Sequence, residues 1–325
     1  MLYPLKFDPI LKPIIWGGKD ICTFKNLPPR EGIGESWELS GVNGNISVVG
    51  NGEWKGKSLS ELISAFGESL LGKPVIERFG NTFPLLIKFI DAKQPLSIQV
   101  HPNDELAKLR HNSFGKTEMW YVVKATQDAS LYSGFKEKID AETYVQSLQD
   151  DTFMHYLQKH DVRPGDVFFL PAGRVHAIGA GCFIAEIQQT SDITYRIYDY
   201  NRKDANGQPR ELHTELAKDA IDYQIYPDYT IEYPRGKEGR QPLVRCPYFS
   251  TNLISGEKGN TLELNYPTES FVIFICLKGN GIIRDSQKHA ITVEQGETVL
   301  IPAANIHPVQ LEFGNDSQLL ETYIE

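Results

Sequence analysis

Cysteine is scarce in this chain of 325 residues, and what there is lies scattered. Cys22, Cys182, Cys246 and Cys276 form no Cys-x-x-Cys pair, which argues against both a thiolate zinc site and a disulfide framework. Buried thiols in a cytoplasmic protein are the expectation. Long apolar runs are missing as well: no stretch approaches the roughly 18 residues of a membrane span. The first residues, MLYPLKFDPILKPIIWGG, show no cationic segment followed by a sustained apolar one, so no signal peptide is expected. Positive charge is also in short supply. A net charge of −9 and a pI near 5.5 argue against a general binder of nucleic acid or anionic membranes. An anionic substrate would have to be met by local cations inside a pocket. With 41% apolar and 23% charged residues and no low-complexity tract, the chain reads as a soluble globular protein, long enough for two domains or one enlarged one.

What is present is mostly short strand patterns separated by turns. In Leu96-Ser97-Ile98-Gln99-Val100-His101-Pro102, alternation puts Ser97, Gln99 and His101 on one face and Ile98 and Val100 on the other, and Pro102 ends the strand. Further strands are read at 35–40, 46–49, 83–90, 115–123, 162–170 and within 183–200. Helical spacing predicts helices over 59–71 (with Gly72 as the stop), 104–110 and about 212–220, and a helical insertion at about 137–160. The Pro- and Gly-rich residues 227–242 are the best linker. Phe83 to Ile90 is nearly all apolar but keeps Lys88, either a strand-edge cation or a buried one with a partner.

The chain also repeats itself. Gly165-Asp-Val-Phe-Phe-Leu-Pro-Ala-Gly-Arg-Val-His176 matches Gly296-Glu-Thr-Val-Leu-Ile-Pro-Ala-Ala-Asn-Ile-His307 without a gap, and upstream the run from Glu118 resembles that from Glu269. Two copies of a turn-rich β unit predict a mainly β protein of two cupin-type jelly-roll barrels, with short helical insertions in the first. We expect a catalytic domain over 1–238 and a second, metal-free barrel over 239–325, because only the first copy carries Gln-x-His. Gln99, His101, Glu118 and His176 are the expected metal ligands, since a barrel brings distant strands together with alternate residues facing inward. This N/O set suits zinc, and also iron(II) or manganese. Spacing alone leaves open that His101 and His176 are satisfied core histidines. The match of His307 to His176 lacks partners and is read as structural.

Taken together, Trp16-Gly17-Gly18, Gly34-Glu-Ser-Trp-Glu38, PLLIKFIDAKQPLSIQVHPND from Pro84, GKTEMW from Gly115, GDVFFLPAGRVHAIG from Gly165, Glu186 and Ser191-Asp-Ile-Thr-Tyr-Arg196 resemble the type I phosphomannose isomerases in their short bacterial form. The resemblance covers most of residues 1–230. It implies a zinc enzyme, with one ion per chain, that interconverts mannose 6-phosphate and fructose 6-phosphate. By position it makes Gln99, His101, Glu118 and His176 the zinc ligands, Gln99 the weakest of them, and Arg196 the active-site arginine. It makes Lys116 a proton-transfer residue and Glu186 a pocket carboxylate. Ser97 and Lys88 become phosphate contacts and Trp16 a substrate contact. The base stays open between Lys116, Glu186 and a metal-bound hydroxide. Two other classes stay open on the residues: a cupin Fe(II) dioxygenase using His101, Glu118 and His176, and a non-catalytic module that binds sugar phosphate. The expected partner is a small-molecule sugar phosphate, with no nucleic acid and no membrane, in a monomer or weak homodimer.

Overall fold

A computed structural model describes residues 1–203 and 207–325. The protein is mainly β, and every strand pairing among the described residues is antiparallel. The first half holds a six-stranded and a five-stranded sheet; the second half supplies a four-stranded sheet and five strands of a seven-stranded one, completed by Leu5–Asp8 and Val48–Val49. No helix among the described residues is long and apolar enough to cross a membrane.

The sheets explain why the strand Leu85–Ala92 is so apolar. It is central in the six-stranded sheet, between Cys182–Gln189 and Ile33–Ser40, and all eight of its residues are buried. Leu85, Ile87 and Phe89 face outward, into a cluster that also contains Leu253, Ile273, Ile275 and Leu320 of the seven-stranded sheet. Ile90 and Ala92 face the other way, into the first barrel, with Trp120, Leu131 and Ile178. A strand covered on both faces has no solvent side to carry polar residues, so alternation disappears. The two barrels are thus packed back to back, each with a lumen of its own: Val272, Phe274, Val299 and Leu311 fill the second.

Several expected elements are placed differently. The Pro- and Gly-rich N-terminus, to which residue pattern assigns no element, forms strands Leu5–Asp8 and Ile10–Gly18. The first of these pairs with Thr298–Ile301, so the seven-stranded sheet takes a strand from each end of the chain. The helix expected over 59–71 breaks at Gly67, whose φ of 45° suits glycine, into Leu59–Phe66 and Glu68–Leu71. The 137–160 insertion is helical over Ala141–Gln149 and Phe153–Tyr156, and its tail Leu157–Asp161 is a strand. The strand expected at 162–170 begins only at Val167, and the linker's last residues already belong to strand Gly239–Arg245.

The repeat has a different register upstream. Leu170 pairs with Glu118, while Ile301, its counterpart, pairs with Val272. Val272 therefore stands where Glu118 stands, and Glu269 lies three residues before it, ahead of the strand. The short apolar run slid along itself in the sequence match; hydrogen-bonded pairing does not allow that.

Gly72 joins the halves. It has φ +93°, and a Cβ there would fall 1.7 Å from the carbonyl oxygen of Glu269. Gly72→Ala is expected to cost about 2–3 kcal/mol, read as a lower urea midpoint at unchanged slope.

Candidate active site

The site lies at one end of the first lumen, where inward-facing positions turn from apolar to polar. On Glu118–Ala125 the inward residues are Glu118, Trp120 and Val122; on Cys182–Gln189 they include Glu186 opposite Trp120; on Leu85–Ala92 Lys88 is opposite Glu186. From the five-stranded sheet, Gln99 is flanked by His176 on one neighbouring strand and Arg196 on the other. The row His176–Gln99–Arg196 thus spans three strands on one face, where directly opposed side chains meet.

His101, Glu118 and His176 present donor atoms that all lie within 4.8 Å of one another, and all three are buried. Nε2 of His101 is 3.5 Å from Oε2 of Glu118, and Nε2 of His176 is 3.3 Å from Oε1. Gln99 Nε2 is 3.2 Å from His176 Nε2, and a half-turn of the amide would bring its oxygen there instead. Ligands about 2.0–2.1 Å from a tetrahedral ion stand about 3.3–3.4 Å apart; the individual contacts are close to that, but they use both Glu118 oxygens, and the trio, spanning up to 4.8 Å, would draw in around an ion.

The tautomers agree. Nδ1 of His101 is 2.8 Å from the Ile193 carbonyl oxygen, and Nδ1 of His176 is 2.8 Å from that of Arg174. A carbonyl only accepts, so each Nδ1 carries the proton and each Nε2 offers a lone pair to the common point. Burial, followed by the Lys116 charge, pushes His101 well below 6.5 and His176 down to about 3, so both rings are neutral.

Around this trio sit two lysines and two more carboxylates. Lys116 bonds Glu118 Oε2, is 3.2 Å from His101 Nε2 and 3.9 Å from Glu186. Lys88 is only 7% exposed, which rules out the strand-edge reading; it stands 3.3 Å from Glu186 and 3.8 Å from Glu35. Burial pulls its pKa down, but the carboxylates Glu35 and Glu186 outweigh that and raise it. Burial raises Glu186 too, yet Lys116, Lys88 and a 2.9 Å bond from the Trp120 indole pull it below the usual range. Glu118 moves the opposite way, upward, because burial dominates. With neutral histidines, the two lysines face three carboxylates, and Glu118 Oε1 and Glu186 Oε1 are buried without a hydrogen bond among the described residues. A cluster with surplus negative charge, an orphaned carboxylate oxygen and two imidazole lone pairs is chemically suited to a divalent cation.

A cavity of about 200 Å³ opens beside it. Its walls bring together Trp16, Lys88, Ser97, Gln99, Lys116, Glu186 and Arg196; His101, Glu118 and His176 are not in the walls but touch Gln99 and Lys116. Arg196 donates to the Glu211 carbonyl at 3.0 Å, and its buried Nε has no partner among the described residues. Residues to which the sequence reading assigned no role also line the cavity: Glu35, Trp37, Asp192, Thr194 and Arg210. Glu35 and Trp37 lay inside a recognised motif, whereas Arg210 sits in a polar segment with no local pattern.

The second barrel uses the equivalent positions differently. Glu321 stands where Glu186 does and Asn252 where Lys88 does, by strand pairing. Glu321 is buried but fully bonded, by Tyr266 at 2.6 Å, Arg240 at 2.6 Å and Asn252 at 2.8 Å. His307, the counterpart of His176, is exposed.

The family model for the catalytic domain of type I phosphomannose isomerase matches residues 5–129. The mannose-6-phosphate isomerase ManA of Bacillus subtilis is 36% identical over 92% of this chain and 93% of its own length. The chain belongs to the type I phosphomannose isomerases. Another member, the mannose-6-phosphate isomerase of Streptococcus mutans, is 39% identical over 68% of each chain. The crystal structure of the B. subtilis isomerase superposes with a TM-score of 0.87 at 30% identity, covering 99% of both chains. A zinc-bound mannose 6-phosphate isomerase shares the fold at 16% identity, with a TM-score of 0.79 over 99% of each chain.

Proposed function

We propose that the protein interconverts mannose 6-phosphate and fructose 6-phosphate through a cis-enediolate, with one zinc ion held by His101, Glu118, His176 and, less tightly, Gln99. The observation that carries this reading is a neutral His–Glu–His trio in contact, through Gln99 and Lys116, with a cavity walled by Arg196, Lys116 and Glu186. Membership of an isomerase family favours it over an O₂-consuming cupin, for which Lys88 and Arg196 have no task.

Bound at the trio, zinc supplies Lewis acidity toward the substrate's carbonyl. The remaining chemistry belongs to side chains. Arg196, permanently charged and with a free buried N–H, stabilises the oxyanion that develops at C1 and C2. Glu186, held ionised by its lysines, takes the proton from C2 and returns it to C1. Lys116, an ammonium between two carboxylates, exchanges a proton with the substrate's oxygens. Ser97 and Trp16 are substrate contacts, and Lys88, which the family resemblance places at the phosphate, serves to hold Glu186 ionised in the cavity wall. Three of the four free thiols are buried, in keeping with a cytoplasmic enzyme, which we take to be a monomer or weak homodimer.

Dialysis against a chelator is expected to abolish mannose 6-phosphate conversion in a coupled assay, and stoichiometric zinc to restore it. Full activity in protein shown by elemental analysis to hold no metal would reject the reading.

A further inference from the structure

Lys88 is a poor match for a dianion on its own, because two carboxylates already offset it. Glu35 and Glu186 stand within 3.8 Å of its ammonium, and the inner cluster as a whole holds one more carboxylate than lysine. The opposite wall has the reverse balance. Among the described residues, Arg196, Arg202 and Arg210 gather there beside Asp199 and Asp192, while the Glu211 carboxylate is turned out to solvent. In a chain of net charge −9, such a local excess of guanidinium is where an anionic group would settle.

The wall is also built rigidly. Asp199 is 4% exposed and takes paired bonds from Arg210, Nε to Oδ2 at 2.7 Å and Nη2 to Oδ1 at 2.5 Å. Arg202 bonds the same carboxylate, Nε to Oδ1 at 3.2 Å, and its Nη1 donates to the Pro95 carbonyl at 2.6 Å. Pro95 is two residues before Ser97, so one buried aspartate ties Arg210 to the turn that carries Ser97. Nη1 of Arg210 has no acceptor among the described residues, and Arg210 lines the cavity shared with Ser97, Arg196 and Gln99. A guanidinium pinned through one edge and free at the other is a preformed receiver for phosphate oxygens.

We propose that Arg210, aimed into the cavity by Asp199, receives the phosphate group of the substrate together with Ser97, and thereby sets the preference for phosphorylated over free sugars. Asp199 is a positioning residue, and Lys88 acts mainly on Glu35 and Glu186. This rests on reading the cavity as a sugar-phosphate isomerase site.

The test is steady-state kinetics of the zinc enzyme with mannose 6-phosphate, using inorganic phosphate as competitive inhibitor, alongside calorimetric titration of inorganic phosphate. R210M is expected to raise KM at least tenfold and to weaken inorganic phosphate by a similar factor, with kcat within threefold of the parent, the pattern of lost uniform binding. D199N should shift KM and phosphate affinity in the same direction by a smaller factor. K88M should lower kcat and leave phosphate affinity within threefold. Phosphate affinity unchanged in R210M, or a larger loss in K88M than in R210M, overturns the proposal. Should R210M fail to fold, R210K, which keeps the charge but not the fork, is expected to weaken phosphate at least threefold, and an unchanged value there is equally decisive. A parent enzyme that binds phosphate through Arg210 but does not turn over mannose 6-phosphate would count against the isomerase reading and leave the anion site standing.

Discussion

Replacing Arg196 by alanine is expected to lower kcat about 10²–10³-fold while KM for mannose 6-phosphate changes less than about threefold, the loss associated with one oxyanion donor. The expectation follows from position. Arg196 is paired with Gln99, which is paired with His176, so its guanidinium belongs to the same row as the metal ligands. Among the described residues its side chain bonds only the Glu211 carbonyl and its buried Nε has no partner, so that N–H can serve charge that exists only during the reaction. An interaction made only in the transition state lowers kcat and kcat/KM together. Both directions of the isomerisation pass through the same enediolate, so the forward and reverse kcat values should fall by the same factor. Arg196 donates to none of the four ligand side chains, so zinc content should stay at one per chain. A kcat within threefold of the parent, with zinc retained, would remove Arg196 from the chemistry.

Much of the barrel framework is legible in residue patterns because turn residues and alternation are local properties. Gln99, His101, Glu118 and His176 could be found for the same reason: each is a polar residue at an inward position of a strand or strand end. What stayed hidden depends on neighbours far along the chain. The strand Leu5–Asp8 exists because Thr298–Ile301 offers it a partner, and nothing in its own Pro-flanked sequence says so. The break at Gly67 needs a backbone angle, and the true counterpart of Glu118, Val272, needs the pairing of Ile301. Lys88 was recognisable as odd but its partners were not, since Glu35 and Glu186 are 53 and 98 residues away in the chain. Arg210 is the extreme case. Its value comes wholly from a buried aspartate eleven residues earlier and from the cavity it faces.

Glu118→Gln separates a carboxylate kept for a cation from one kept for the fold. Burial raises the Glu118 carboxyl from its ordinary 4.5 to about 7, although Lys116 bonds it. A carboxyl raised on folding binds more protons in the native than in the unfolded state, so metal-free protein loses stability as pH climbs from about 4.5 to about 7. Above that window the whole penalty is present. Glutamine cannot ionise, and it also leaves two lysines against two carboxylates, with Glu186 still 3.9 Å from Lys116. Metal-free Glu118→Gln should therefore melt no lower than metal-free parent at pH 8, and its stability should be flatter between pH 5 and 7. Zinc should act in the opposite sense. Parent protein at free zinc 100 times Kd gains about 2.7 kcal/mol of stability, seen as a rise in Tm. The variant, lacking the one anionic ligand, should bind zinc at least about 10²-fold more weakly and lose kcat with it. A carboxylate retained only to pair with Lys116 would behave otherwise: the variant would then melt lower without metal, and zinc would raise both Tm values alike.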